Sequence, residues 1–169
     1  MNIEIVPARE THKSVLMQLI ELYNHDFSEY TKEDVDEHGF FGYSYLDHCW
    51  TEETRSPFFI KVDGNFAGFV LVSMHCKYTG NEKAHSIQEF FIMRKYRRVN
   101  IGKYAAKYVF DLFEGEWEVR VLHVNKLALS FWHKVINEYT NGNNNFHSEP
   151  IPDWDGVGYT FFSKKECRL

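Results

Sequence analysis

Cysteine is scarce here: Cys49, Cys76 and Cys167 are the three in a chain of 169 residues. An odd count with no C-x-x-C spacing argues against a disulfide frame and reads as reduced thiols, with nothing in the pattern to mark a reactive one. Long apolar runs are missing too. None approaches the ~18 residues of a membrane span, and the opening Met-Asn-Ile-Glu-Ile lacks a basic and hydrophobic leader, so no membrane partner and a cytoplasmic address are expected. Nine histidines show no metal spacing such as H-x-x-x-H, so no metal is expected, and His123 and His133 read as surface or core residues. No linker or internal repeat interrupts residues 1–169, which are expected to form one domain with a substantial core. Aromatics, by contrast, are plentiful: 17% of the chain, with fifteen Phe and ten Tyr. Such a chain is too rich in rings for disorder and suits a packed fold with a lined cleft.

Charge is unevenly spread. From Met1 to Pro57 twelve acidic residues face four basic ones, a net of −8, whereas the remainder carries +3 and the whole chain −5. An acidic first third beside a basic later part fits a cationic acceptor meeting an anionic cofactor, each drawn to its own end of a cleft. Much of the acidity, in Glu33, Asp34, Asp36 and Glu37, reads as a helix N-terminus and exposed face.

Hydrophobic spacing orders the elements. Ile3 to Val6 alternate as a strand ending at Pro7. Val15, Leu16, Leu19, Ile20, Leu22 and Tyr23 fall on one face of a helix over 11–25. Gly39 and Gly42 suggest a loop, and 43–54 a second helix with Tyr45, Leu46, Cys49 and Trp50 inward. Residues 58–62 and 66–74 flank Asp63-Gly64-Asn65 as a hairpin, and a turn at 79–81 leads into a strand carrying Glu89. A helix over 101–113, with Ala105, Val109, Leu112 and Phe113 inward, stops at Gly115. A strand over 117–122 and a helix over 127–136 follow. Asn141 to Asn145 read as a turn between the last two strands, the final one covering 157–163. The pattern alone predicts α+β or α/β with helices on both faces of a sheet.

One segment concentrates the chemistry. Ser86 to Met93 form a β-branched and aromatic strand, Asn100-Ile101-Gly102 opens a helix, and between Arg94 and Lys107 six cations (Arg94, Lys95, Arg97, Arg98, Lys103 and Lys107) occur with no Asp or Glu. A strand feeding a helix N-terminus leaves backbone N–H groups unpaired and aimed, with the helix dipole, at an anion. A phosphate cradle is the expectation; a solvated basic turn and a nucleic-acid patch are the alternatives. Overall acidity and the lack of a second basic stripe speak against nucleic acid.

As a spacing, Arg97-Arg98-Val99-Asn100-Ile101-Gly102 resembles the R/Q-x-x-G-x-G/A acyl-CoA signature of the GNAT acetyltransferases. Gln88-Glu89-Phe90-Phe91-Ile92-Met93 followed by Tyr96-Arg97 is similar to the corresponding segment of spermidine/spermine acetyltransferases. Asn125-x-x-Ala128-x-x-Phe131-Trp132 matches the family's N-x-x-A-x-x-F-Y. The three signals span roughly 57–139 and stand in the family's order. The resemblance implies a GNAT fold: a single mixed, mostly antiparallel sheet of six to seven strands with helices on both faces. It further implies an acetyl-CoA-dependent N-acetyltransferase acting directly on a primary amine of a small molecule, and the homodimer common in the family. Two departures stand out. Asn100 replaces the first glycine of the loop, and is the residue most tolerant of positive φ after glycine. Trp132 replaces a tyrosine thought to protonate the leaving thiolate, and an indole N–H cannot give up its proton at neutral pH. A CoA-binding module without catalysis is therefore the second reading.

On the resemblance, Arg97, Arg98, Val99, Asn100, Ile101, Gly102 and Lys103 hold the phosphates, while backbone at Phe91, Ile92 and Met93 pairs with the pantetheine arm and polarises the thioester carbonyl. Asn125, with Ala128 and Phe131 behind it, either caps the fourth helix or bonds that arm. Glu89, desolvated among Phe90, Phe91 and Ile92, is the expected general base, with an ion pair to a helix cation as its alternative role. Gln88, on the opposite face of the strand, would orient substrate. Asp26, Glu29 and Tyr30, placed in the loop after the first helix, form the expected acceptor wall.

Overall fold

A computed structural model of the chain describes residues 1–149 and 151–163. Seven strands hydrogen-bond in the order β1-β2-β3-β4-β5-β7-β6. They are β1 (Ile3–Pro7), β2 (Arg55–Val62), β3 (Asn65–Ser73), β4 (His85–Ile92), β5 (Gly115–Leu122), β6 (Asn144–His147) and β7 (Gly156–Ser163). β1 runs antiparallel to β2, β4 parallel to β5, and β7 antiparallel to both β5 and β6. The helices are α1 (Lys13–Thr31), α2 (His48–Thr51), α3 (Ile101–Leu112) and α4 (Lys126–Thr140). The element order matches the sequence reading, and the mixed sheet with helices is the architecture expected.

The chain divides into two compact units. The first comprises Met1–Leu71 and Glu89–Val99; the second, Val72–Gln88 and Asn100–Leu169. In the first, Leu16, Leu19 and Ile20 of α1 are buried with Phe59, Phe69, Leu71 and Phe91 of the strands. At about 25 cal/mol per Å² of apolar surface removed from water, that contact is what fixes α1 on the sheet. Leu22 is 49% exposed and does not belong to the inward face, because it lies at the edge of the stripe that Leu16, Leu19, Ile20 and Tyr23 set along the helix. In the second, Phe110 of α3 packs on Trp117 and Phe161 at ring separations of 5.0 and 4.9 Å. Ile101, Ala105, Ala106, Val109 and Phe110 are buried there, whereas Leu112 is exposed and Phe113 falls just beyond the helix.

Turn chemistry explains where elements stop. Asp63 and Gly64 both have positive φ, 49° and 79°, as the tight β2–β3 hairpin requires. α1 ends six residues later than its spacing predicts, at a left-handed Lys32 whose N–H returns to Ser28 O at 2.9 Å. Asp26, Glu29 and Tyr30 therefore lie on the helix and not in a loop. Residues 33–37 are exposed but form no helix start; Asp36 instead accepts the N–H groups of His38 and Phe40 at 2.9 Å each. The helix expected over 43–54 contracts to the four residues of α2. Asn141, left-handed at φ 52°, ends α4, and Asn144 already opens β6, so the Asn-rich segment joins helix to strand, and the β6–β7 connection lies at 148–155. Cys167 lies outside the described residues.

Glu118 on β5 is fully buried. Its carboxylate accepts the backbone N–H groups of Lys77 (2.8 and 3.0 Å), Tyr78 (2.7 Å) and Thr79 (3.3 Å) and pairs with Arg120 Nε at 3.2 Å. A buried charge is tolerable only when so surrounded, and here it ties the β3–β4 connection to the strand.

Candidate active site

Glu89, half-buried on β4, is met by two phenols. Tyr23 Oη on α1 donates to Glu89 Oε2 at 2.6 Å, and Tyr43 Oη donates to Oε1 at 3.4 Å. Burial first, and then the Glu89 charge, push the ionisation of both tyrosines up from its ordinary value, so both remain hydrogen-bond donors at any working pH. Tyr43 is placed by α1 itself: Glu21 accepts the N–H groups of Phe41 and Gly42 at 2.9 and 2.8 Å, and Asn24 Nδ2 donates to Gly42 O at 2.8 Å. Phe27 stacks on Tyr23 at 5.2 Å, and Tyr30 meets Phe27 edge-on at 5.8 Å. The carboxylate thus sits beside a row of rings on one helix, a setting suited to a cation.

The β4 backbone beyond Glu89 is shaped by Gly68. A Cβ there would collide with the Phe91 carbonyl, so glycine lets β4 lie close over β3. No peptide is cis among the described residues, and in a trans peptide the C=O and N–H point opposite ways. The Ile92 N–H is consequently directed away from β3. The next peptide is held at both ends, since Met93 N–H donates to Ala67 O at 2.8 Å and Ile92 O accepts from Arg97 Nε at 2.6 Å. Met93 O is also engaged, by Tyr96 N at 2.8 Å. Of the three residues expected to pair with an extended ligand, Met93 is committed internally, and the Ile92 N–H points away from β3.

The basic segment finds acids from elsewhere in the chain. Asp26 Oδ1 accepts Arg94 Nε and Nη2 at 3.1 and 2.8 Å, and Asp26 Oδ2 pairs with Arg97 Nη2. Burial pushes the Asp26 carboxyl up, but hydrogen bonds from Arg94 and Arg97 outweigh it and hold the group below its ordinary value. Asp26 therefore binds arginines rather than lining an acceptor wall, while Glu29 is exposed, with its carbonyl accepting Lys32 Nζ at 2.7 Å. In the second unit, Lys103 and Lys107 on α3 both reach Glu138 on α4, at 2.7 and 2.9 Å. Their hydrogen bonds hold Glu138 down to about 2. Among the described residues, Arg98 is exposed and meets no carboxylate.

Asn100 opens α3 in the left-handed conformation, φ 63°, with Arg98 at φ 67° two residues before it. These are backbone shapes that glycine and asparagine adopt most readily. The Asn100 side chain makes no cap, so it leaves the first N–H groups of α3 to another acceptor, and a helix start of this kind suits an anion. Val99 is exposed; Ile101 is 1% exposed, its side chain in the core, and Gly102 is half-buried. Asn125 Oδ1 accepts Ala128 N–H at 3.0 Å, the N-cap of α4. Trp132 is 5% exposed and packs with Phe131 and Phe110 at 4.9 and 6.3 Å, and Gln88 is half-buried on β4.

Tyr23 and Tyr43 are the functional candidates that sequence reasoning missed. Tyr23 reads as one more apolar position of α1, and no local signal marks its phenol. Tyr43 has none either, because it is placed by Glu21 and Asn24 from another element.

A model of the acetyltransferase (GNAT) family matches residues 16–136, and the chain belongs to that family. Its fold is similar to that of spermidine N-acetyltransferase from Vibrio cholerae, solved with CoA and spermine: 9% identity, 96% of each chain covered, TM-score 0.68. It is similar also to the PaiA N-acetyltransferase of Thermoplasma acidophilum, solved with coenzyme A, at 15% identity over 94% of this chain and 98% of that one, TM-score 0.63. The ribosomal-protein-S18-alanine N-acetyltransferase of Escherichia coli gives 13% identity, 99% of each chain and a TM-score of 0.58. At these identities the likeness is one of fold. No curated protein sequence matches the chain. Among the described residues there is no helix long and apolar enough to cross a membrane and no group of His, Cys, Asp or Glu arranged to hold a metal.

Proposed function

We propose that this chain is an acetyl-CoA-dependent N-acetyltransferase whose acceptor is a primary amine of a small cationic molecule. The observation that carries the reading is Glu89 between Tyr23 and Tyr43, with Phe27 and Tyr30 continuing the aromatic row. Rings and a carboxylate attract an ammonium, and Glu89 then takes its proton, directly or through water, to release the nucleophilic amine. Tyr23 and Tyr43 keep the carboxylate pointed while they do so. Bound acetyl-CoA supplies the activated acetyl group. In the first unit the Ile92 N–H is a donor suited to its carbonyl, and in the second the start of α3 at Asn100, Ile101 and Gly102 suits an anion such as its phosphates. Trp132, packed in the core, supports Phe131 and α4 instead of moving a proton. That the Vibrio cholerae neighbour was solved with spermine supports a small polycation, whereas the Escherichia coli neighbour is a ribosomal-protein-S18-alanine N-acetyltransferase.

The second reading, a CoA-binding module without turnover, is favoured by the acids that already occupy Arg97, Lys103 and Lys107. Calorimetry with acetyl-CoA and a screen of polyamines, small amines and N-terminal peptides separates the two. Gly102→Asp is expected to abolish CoA binding while the fold persists. Glu89→Gln is expected to lower kcat at least about a hundredfold with little change in CoA affinity. Tight CoA binding without transfer to any amine establishes the second reading, and unchanged turnover in Glu89→Gln removes Glu89 as base.

A further inference from the structure

The arginine that the acyl-CoA signature begins with is turned away from a purely phosphate-gripping role. Arg97 spends Nη2 on Asp26 and Nε on the Ile92 carbonyl, its guanidinium lying 5.7 Å from the centre of the Phe91 ring. Asp26, in turn, is fixed on α1 and shared with Arg94. Four groups therefore form one connected run: an α1 carboxylate, a guanidinium, a β4 carbonyl, and the amide N–H of the same β4 residue, which shares the side facing away from β3.

We propose that Asp26 is a positioning residue that acts through Arg97 on the Ile92 backbone, setting the direction of the N–H that meets the acetyl carbonyl. The physical warrant is geometric. Ile92 is the last residue of β4, and Arg94–Tyr96 form a short 3₁₀ turn immediately after it. The Ile92–Met93 peptide would be free to rotate there if only Met93 N–H were held. Ala67 fixes that N–H, and Arg97 fixes the opposite oxygen, so the peptide that follows Ile92 is pinned from two sides; the Ile92 N–H belongs to the preceding peptide, whose Phe91 carbonyl lies against Gly68, and the brace acts on it through the Ile92 Cα that the two planes share. A guanidinium is suited to such a task because its donors are rigidly spaced in a plane, and one edge serves Asp26 while the adjacent N–H serves the carbonyl. Asp26 also lies one turn from Tyr23 on α1. The helix that carries the clamp on Glu89 thus carries the anchor of the Ile92 amide as well, and the two reacting partners are registered against a common element.

The inference rests on the acetyltransferase reading for its kinetic part and is independent of it for its structural part. Full-length Asp26→Asn and Arg97→Lys are compared with wild type. Asn keeps the shape but loses the charge, and Lys keeps the charge but loses the planar fork. Both are expected to shift the Ile92 and Met93 amide resonances in the free protein. They should also lower kcat about tenfold to a hundredfold, the cost of a small misplacement at a reacting centre, with the Kd for CoA within about threefold of wild type. The double variant should be no slower than the slower single one, because both cut the same run, and Asp26→Glu should recover part of the loss. An Arg97→Lys variant that binds CoA tenfold more weakly at unchanged kcat assigns Arg97 to the phosphates and overturns the proposal. Unmoved Ile92 and Met93 amides overturn it also. If wild type transfers acetyl to no amine, the functional reading fails, while the brace still stands or falls on the amide shifts.

Discussion

Single side chains in this protein are held by partners that change what their chemistry can be. The two described cysteines are an instance. Burial, ahead of every other influence, pushes the Cys49 thiol up to about 11 and the Cys76 thiol up to about 12. The reactive species is the thiolate, and a raised value means that it is scarce at neutral pH and grows as pH rises toward those values. Alkylation by iodoacetamide, followed peptide by peptide in a mass spectrometer, is accordingly expected to be slow at both positions at pH 7.5 and to accelerate about tenfold per pH unit up to pH 10. A fast, pH-independent reaction at Cys49 would contradict its burial. The same dependence on surroundings governs Glu89. Its flanking Phe90 and Phe91 are plain in the sequence, but the phenols that hold it come from 66 and 46 residues away, and no local pattern announces them.

Elements are placed by a few backbone contacts that tolerate no added atom. Gly68 is the sharpest case, because the carbonyl that a methyl group would strike belongs to the main chain of β4 and cannot swing aside. Gly68→Ala is expected to destabilise the fold by roughly 1–3 kcal/mol, the usual cost of overpacking. It should also displace β4 where it carries Glu89 to Ile92. A drop in Tm together with reduced acetyl transfer is the expected result, and a variant with unaltered Tm and activity would mean that the strands separate without penalty. At this scale the sequence was informative wherever turn chemistry is local. Asp63-Gly64 announced its hairpin, Asn100 its left-handed bend, and the Asn125 to Ala128 spacing its helix start. It was uninformative wherever an end depends on a residue without such a preference. Lys32 ends α1 in a left-handed conformation that lysine seldom adopts, which is why the helix ran six residues past its expected stop and carried Asp26, Glu29 and Tyr30 with it. The Asn-rich run after α4 misled in another way, since Asn144 and Asn145 pair with Phe161 and Thr160 despite a composition typical of turns.

For the whole molecule, the order of elements followed from hydrophobic spacing and the family from three spaced motifs, while the clamp and the brace were in neither. The reason is physical: motifs record what the backbone must do at one place, and ion pairs such as Asp26 with Arg97 or Glu138 with Lys103 record where the chain has returned to itself. The excess of acid in the first third and of base later was read as a field for two ligands. Part of it is spent within the protein on these pairs, which lowers the charge left for steering a ligand from solution.

The buried acid of β5 has a further bearing on how long the chain survives among proteases. The connection that it secures contains Lys77 and Lys83, both exposed and both cleavable by trypsin once the backbone can enter the enzyme's groove. Glu118→Gln leaves one carbonyl oxygen to receive the main-chain N–H groups and turns an amide donor toward them, so the connection should lift and be nicked. Limited trypsinolysis should cut the variant at Lys77 or Lys83 well before the wild type, and equal rates of nicking would mean that the segment is secured by other means. Resistance to digestion at this surface is then governed by a side chain 40 residues along the chain from Tyr78, out of reach of any protease.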